Sequence, residues 1–128
     1  MVAGENSGGE FDGNLVMLEL RIERGGTFTI ARLAGELTAL DVERLTENLS
    51  EVAYGEEARL AIELSGLRTI DSTGLSALIT VVTRSRLTQG RVALVAPSPF
   101  VRGILSVTRL DGWFDLCENL EDAAKLLS

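Results

Sequence analysis

The stretch Ile70-Asp71-Ser72-Thr73-Gly74-Leu75 lies where a short apolar run ends and a longer apolar segment begins. The run before it, Leu67 to Ile70, is typical of the end of a buried strand. Asp and Ser are favoured at helix starts because their side-chain oxygens accept hydrogen bonds from free backbone N–H groups. The segment after it has apolar residues at helical spacing, namely Leu75, Leu78, Ile79 and Val82. The stretch therefore predicts a strand, a polar turn and a helix, the repeating unit of α/β proteins.

Two alternating runs near the start of the chain predict a β-hairpin. Leu15 to Glu23 alternates apolar and charged side chains, the period of a strand with one buried face. Gly25-Gly26 follows and supplies a turn, and Phe28 and Ile30 then belong to a second alternating run. Two such runs joined by a glycine pair favour antiparallel pairing.

Helical and strand patterns alternate in the rest of the chain. A helix is predicted from Thr38, a candidate N-cap, to Ala53, because apolar residues there recur every three or four positions. Ser98-Pro99 predicts another helix start, since Ser caps and Pro fits the first helical position, and Asn119 caps a last helix. The helix after Ser98 is expected to bury Phe100, Val101, Ile104 and Leu105, and the remaining strands are predicted at Leu60 to Leu64, Arg91 to Val95 and Phe114 to Leu116.

The predicted order is therefore β-β-α-β-α-β-α-β-α. Strands that alternate with helices imply right-handed crossovers, so the fold class is α/β with a mixed sheet: an N-terminal hairpin, then β-α units, with about four helices packed against it. Residues 14–128 are expected to form this single domain. Residues 1–13, rich in Gly, Glu, Asn and Ser, are expected to be a disordered tail.

Composition argues against several classes of function. The net charge of −7 disfavours a nucleic-acid binder, which needs a basic face. The chain has no histidine, one cysteine (Cys117, expected to be buried) and no lysine-bearing phosphate loop, so we expect no metal, no cofactor and no enzymatic activity. No secretion signal and no apolar run of about 20 residues is present, so the expectation is a soluble cytoplasmic protein without membrane insertion.

The Asp71-Ser72-Thr73-Gly74 turn has a purely structural interpretation. Asp71 or Ser72 caps the following helix, and Gly74 permits close packing. These four residues alone do not distinguish a helix cap from a functional loop.

A wider set of residues resembles the anti-sigma-factor antagonists of the STAS domain family. The matches run in order from about Leu15 to the C-terminus. They comprise Gly35-Glu36-Leu37, Leu64-Ser65-Gly66-Leu67, Ile70 to Leu75, Gly90-Arg91-Val92, Pro97-Ser98-Pro99 with Val101-Arg102, and Thr108 with Leu110-Asp111. The resemblance implies a bacterial protein with the family fold, a β-sheet with helices packed against it.

The resemblance also implies a phosphorylation switch. In this family the serine after the aspartate of the Asp-Ser-Ser/Thr-Gly motif is phosphorylated by the partner, an anti-sigma factor that is itself a serine kinase. Carried over, the acceptor is Ser72, and a separate phosphatase resets it. The protein would then regulate sigma-factor-dependent transcription by partner switching. The implied partner-binding residues are Gly35, Glu36, Leu37, Thr38, Asp71, Ser72, Thr73, Gly74 and Leu75.

Two positions depart from the family pattern. The family's Gly-Glu-Leu-Asp loop has Thr38 in its fourth position here, and Asp41, three residues later, is not assumed to replace that aspartate. Arg109 stands where relatives often carry Gly at a helix end, and Gly112 is expected to supply the left-handed residue instead.

Three other functions remain open from the sequence. STAS domains also serve as scaffold subunits of stress-sensing complexes and as cytoplasmic subunits of membrane transporters. The intact Asp71 to Gly74 turn favours the switch over a transporter subunit, but it does not separate the switch from a phosphorylated scaffold. A nucleotide-binding protein is disfavoured by the missing lysine loop. Self-association as a weak homodimer is left open.

Overall fold

The computed structural model describes residues 18–128, and within them it contains the predicted order of strands and helices. The strands are β1 (Glu19–Glu23), β2 (Thr29–Leu37), β3 (Arg59–Ile70), β4 (Arg91–Val95) and β5 (Asp115–Cys117). The α-helices are α1 (Val42–Ala53), α2 (Ser72–Leu87), α3 (Pro99–Val107) and α4 (Leu120–Leu127), with 3-10 turns at Ala39–Asp41 and Leu110–Gly112. The tail predicted for residues 1–13 and the first residues of the predicted first strand lie outside the described residues.

The five strands form one mixed sheet, as predicted. Their order in the sheet is β1-β2-β3-β4-β5, with β1 antiparallel to β2 and all later pairs parallel. Because each parallel connection advances in the same direction and is right-handed, α1, α2 and α3 all lie on one face of the sheet. The carboxyl ends of β2 to β5 therefore share one edge, which we call the carboxyl edge.

Two hydrophobic cores lie on the two faces of the sheet. The larger one contains the buried side chains of α1, α2 and α3, among them Leu45, Leu49, Leu78 and Leu105. Fully burying one such leucine contributes about 2 kcal/mol. The smaller core lies under α4 and consists of Ala61, Ala93, Val95, Cys117, Ala123 and Leu127.

Strand β3 is continuous, whereas the sequence predicted two short strands separated at Ser65-Gly66. The register of the pairing with β2 shifts twice, and at each shift β3 carries one extra residue. Strand β3 therefore continues through Ser65-Gly66 without a break. A Cβ atom at Gly66 would lie 2.9 Å from the Cβ of Ala34, so glycine lets the two strands approach. As a result Leu37 and Ile70 end side by side at the carboxyl edge.

Helix α3 begins as predicted. The Ser98 side chain accepts a hydrogen bond from the Val101 N–H, Pro99 is the first helical residue, and the Ser98 hydroxyl donates to the Leu67 carbonyl at 2.6 Å. Val101 and Leu105 are buried, but the prediction for Phe100 was wrong, because its side chain is 48% exposed. Phe100 belongs to the first turn of α3 and lies on its exposed face, next to the buried Val101.

The prediction for the end of α3 was also wrong. Arg109 itself adopts the left-handed conformation with φ of +63°, and Gly112 does not have a positive φ. This conformation costs a residue with a Cβ atom about 1–2 kcal/mol.

Cys117 is buried as expected, and burial raises the pKa of its thiol.

Candidate functional site

Ser72 is the first residue of α2 and is exposed at the carboxyl edge. The residue before it, Asp71, has extended backbone and caps the helix: its Oδ1 atom accepts a hydrogen bond from the Gly74 N–H at 2.7 Å. Of the two capping residues that the sequence allowed, the structure selects Asp71. The serine hydroxyl is therefore not used as the cap, and it remains accessible at the surface.

The first turn of α2 has free backbone N–H groups that can bind an anion. The Gly74 N–H is bound to the Asp71 carboxylate, and the Leu75 N–H is bound to the Asp71 carbonyl at 2.9 Å. Within residues 18–128, neither the Ser72 nor the Thr73 N–H donates to a protein acceptor. Free N–H groups at a helix start favour negative charge, so a phosphate on Ser72 would lie in a favourable position.

Gly35, Glu36 and Leu37 form the last residues of β2, and not a loop as the family pattern implied. Their neighbours on β3 are Leu67, Thr69 and Ile70. Gly35 has a φ of +94°, a conformation that favours glycine. Leu37 is fully buried, so its side chain belongs to the core and is not available to a partner.

The Asp71 side chain joins the end of β2 to the start of α2. Its Oδ2 atom accepts a hydrogen bond from the Ala39 N–H at 3.3 Å, while its backbone N–H donates to the Leu37 carbonyl at 3.1 Å. One carboxylate thus holds the turn after β2 and the helix start together. The structure brings both predicted segments, residues 35–38 and residues 71–75, into one site.

Gly74 lies directly against β2. A Cβ atom added there would be 2.6 Å from the Leu37 carbonyl oxygen and 2.8 Å from the Leu37 Cγ. Gly74 is buried and Leu75 is half-buried. Both residues position the helix, and the exposed part of the motif consists of Asp71, Ser72 and Thr73.

Thr38 and Asp41 have structural roles in the turn after β2. The Thr38 hydroxyl accepts a hydrogen bond from the Leu40 N–H at 3.3 Å and caps the 3-10 turn. Asp41 is only 6% exposed and pairs with Arg44 at 3.5 Å. Asp41 therefore does not offer a surface carboxylate in place of the aspartate that this chain lacks at position 38.

Sequence reasoning missed Leu40, the most exposed large apolar residue of the site. Its side chain is 88% exposed on the 3-10 turn Ala39–Asp41. The residue lies outside the buried stripe of α1, which consists of Leu45, Leu49 and Val52. The sequence does contain a signal for this exposure: Leu40 is apolar but comes just before α1, whose apolar stripe is complete without it.

Two further observations concern metal binding and membrane spanning. Over residues 18–128 no group of three or more His, Cys, Asp or Glu side chains is placed to hold a metal ion. In the same part of the chain, no helix is long and apolar enough to cross a bilayer.

The comparisons with known proteins agree with this architecture. A sequence profile of the STAS domain matches residues 19–123. BtrV of Bordetella bronchiseptica, provisionally named as an anti-sigma factor antagonist, is 26% identical over 107 residues, which cover 84% of this chain and 92% of BtrV. This match extends over most of both sequences.

Solved structures of similar fold include an anti-sigma factor antagonist from Mycobacterium paratuberculosis, with a TM-score of 0.76 and 23% identity over 87% of this chain and 94% of that one. SpoIIAA in its unphosphorylated form has a TM-score of 0.70 at 22% identity, covering 84% and 96% of the two chains. The phosphorylated form of Bacillus SpoIIAA has a TM-score of 0.66 at 21% identity, covering 84% and 99%. The chain belongs to the STAS domain family.

Proposed function

We propose that this protein is an anti-sigma-factor antagonist that binds an anti-sigma factor with serine kinase activity and is switched off by phosphorylation at Ser72. The observation that carries the proposal is the exposed Ser72 hydroxyl at the start of α2, left free because Asp71 is the helix cap. The names of BtrV and of the structure from Mycobacterium paratuberculosis, both given as anti-sigma factor antagonists, support the antagonist part of this proposal. Unmodified protein sequesters the anti-sigma factor and so frees its sigma factor for transcription.

The chemical step is a phosphoryl transfer from Mg-ATP bound to the partner. The Ser72 oxygen bonds to the γ-phosphorus, the bond from that phosphorus to the β,γ-bridging oxygen breaks, and ADP leaves. The serine proton passes to a base of the kinase. This chain acts as the substrate and binding module, and we propose no catalytic group in it.

The phosphate ends the complex through charge and bulk. It adds about −1.5 to −2 charges at neutral pH, next to the carboxylate of Asp71. The free N–H groups of Ser72 and Thr73 stabilise it within this chain, whereas a partner surface shaped for the hydroxyl must exclude it. A separate phosphatase restores the active form, and the whole cycle belongs to the cytoplasm, where sigma factors act.

The test is phosphorylation of the purified protein by candidate anti-sigma kinases with Mg-ATP, followed by intact mass spectrometry. Wild type should gain one phosphate and Ser72→Ala none. Ser76→Ala is the matched control, because Ser76 is also exposed on α2, one turn later. This variant should be modified like wild type.

The alternatives give different results in the same assay. If Ser72→Ala is still modified, the acceptor is another residue, with Thr73 the nearest hydroxyl. If a kinase binds wild type stably without modifying it, the protein is a constitutive antagonist or a scaffold subunit, and the switch is wrong. A scaffold subunit should also elute from gel filtration of a lysate in a very large complex.

A further inference from the structure

We propose that Leu40 is the apolar anchor by which this chain engages the kinase that phosphorylates Ser72. The inference rests on the proposed function and names the contact that selects the partner. Leu40 is 88% exposed, although leucine is an apolar residue that folding normally buries. It lies outside the residues that the family motif marks as partner contacts.

The turn that carries Leu40 is ordered by its own hydrogen bonds. The Thr38 hydroxyl accepts from the Leu40 N–H at 3.3 Å, and the Asp41 N–H donates to the Thr38 carbonyl at 3.0 Å. Asp41 at the end of the turn is buried beside Arg44. An apolar side chain on such a pre-ordered turn binds with little further loss of conformational entropy.

Hydrogen bonds also tie this turn to the phosphorylation site. The Ala39 N–H donates to Asp71 Oδ2 at 3.3 Å, and Asp71 is the residue immediately before Ser72. A kinase whose active site reaches the Ser72 hydroxyl therefore covers the turn as well. Because the residue before Ser72 is hydrogen-bonded directly to the turn that carries Leu40, we take the kinase itself as the occupant.

The partner chemistry follows from the side chains around Leu40. Glu43, in the first turn of α1, and Asp71, which is hydrogen-bonded to the Ala39 N–H, are exposed carboxylates next to the turn. The nearby guanidinium of Arg44 is already paired with Asp41. The expected partner surface is an apolar pocket that receives Leu40, with basic residues at its rim. In protein interfaces a few residues account for most of the binding free energy, so a single buried side chain can determine partner choice.

The experiment compares Leu40→Ala with Leu87→Ala as substrates of the kinase that modifies wild type at Ser72. Leu87 is a matched control: it is also leucine, it is 78% exposed, and it lies at the far end of α2, away from the carboxyl edge. Truncation of an anchor raises KM about tenfold and weakens binding equally, with kcat unchanged. Leu87→Ala should match wild type, and both variants should unfold at the wild-type temperature.

The outcomes separate this inference from the proposed function. Phosphorylation of Ser72 with equal KM values for Leu40→Ala, Leu87→Ala and wild type overturns the Leu40 anchor and leaves the switch intact. A reduced kcat at unchanged KM also overturns the anchor, because Leu40 would then act on the chemical step. Absence of both binding and phosphorylation with wild type overturns the proposed function, and the anchor with it.

Discussion

Gly74 shows how one residue fixes the position of the site. The start of α2 crosses the end of β2 so closely that any side chain at position 74 would meet the Leu37 carbonyl oxygen. The contact lets the Asp71 backbone and side chain reach both Leu37 and Ala39. Glycine at this position is therefore a requirement of packing, quite apart from any partner.

A pair of glycine variants tests this requirement. Gly74→Ala should destabilise the protein by about 1–3 kcal/mol, because the backbone of β2 must move away from the added methyl group. Gly103→Ala, within α3, should stabilise it by about 0.5–1 kcal/mol, since nothing lies within 4 Å of the added Cβ atom and alanine favours the helix. Urea unfolding of both variants measures the difference. Equal effects would show that the close approach at Gly74 is unimportant.

Single residues differed in how far the sequence predicted them. The caps Ser98 and Asn119 were predicted correctly, because capping depends on side chains next to their own helix. Arg109 and Leu40 were not predicted: a left-handed arginine and a leucine that is 88% exposed contradict the local preference of each residue type. Only the backbone around them, fixed by the rest of the fold, determines these two positions.

At the scale of elements, periodicity predicted every strand and helix of residues 18–128 in the right order. The differences occur where β2 meets β3. The sequence pattern broke β3 at Ser65-Gly66, because glycine is a poor strand residue. The family resemblance implied a loop at Gly35 to Leu37, where the structure continues β2. Pairing between the two strands supplies the missing stability, and a single-strand pattern cannot show it. For the same reason the sequence predicted which residues form the candidate site, but not how these residues are arranged in space.

The β1–β2 hairpin carries an ion pair that should make its stability depend on pH. The Arg32 guanidinium donates to Glu23 at 2.9 Å, and this hydrogen bond lowers the pKa of Glu23 below its ordinary value of 4.5. A carboxyl group with a lower pKa in the folded state stabilises the fold above its unfolded pKa, and this stabilisation is lost as the pH falls through the folded value. Wild type should therefore be somewhat more stable than Arg32→Met at pH 7, and the difference should shrink below pH 4.5.

Urea unfolding between pH 7 and pH 3 checks this expectation. Glu23→Gln should flatten the same part of the curve, and adding Arg32→Met to Glu23→Gln should change that part no further. A difference between wild type and Arg32→Met that persists unchanged at pH 3 would assign the effect to packing of the arginine chain instead.

At the scale of the whole molecule, Ser72 lies at the surface, apart from both hydrophobic cores. Ser72 is exposed, its N–H and that of Thr73 are free within the described residues, and the buried face of α2 lies on the other side of the helix. A phosphate at Ser72 thus touches neither core. If Ser72 is phosphorylated as proposed, we expect the modification to change the surface of the protein and not its architecture.

Phosphorylated protein should therefore keep its structure. We expect crystal structures of the two forms to superpose over residues 71–80, and the unfolding temperature to shift by less than about 4 °C, which corresponds to about 1 kcal/mol for a domain of this size. Ser72→Ala exposed to the same kinase serves as the unmodified control. A large rearrangement of residues 71–80 would show that release of the partner works through a conformational change.

The order of the strands has a consequence for how the chain is made. Because the sheet order β1-β2-β3-β4-β5 repeats the order of synthesis, each strand finds its neighbour already in place when it leaves the ribosome. No gap has to stay open for a later strand. The three parallel pairings, for example Thr29 with Leu60, nevertheless join distant parts of the chain, and non-local pairing of this kind slows folding. Helix α4 follows β5 in the chain and closes the smaller core. A nascent chain that has formed the sheet but not yet α4 therefore exposes Ala61, Ala93 and Val95, and we expect it to be more prone to aggregation than the folded domain.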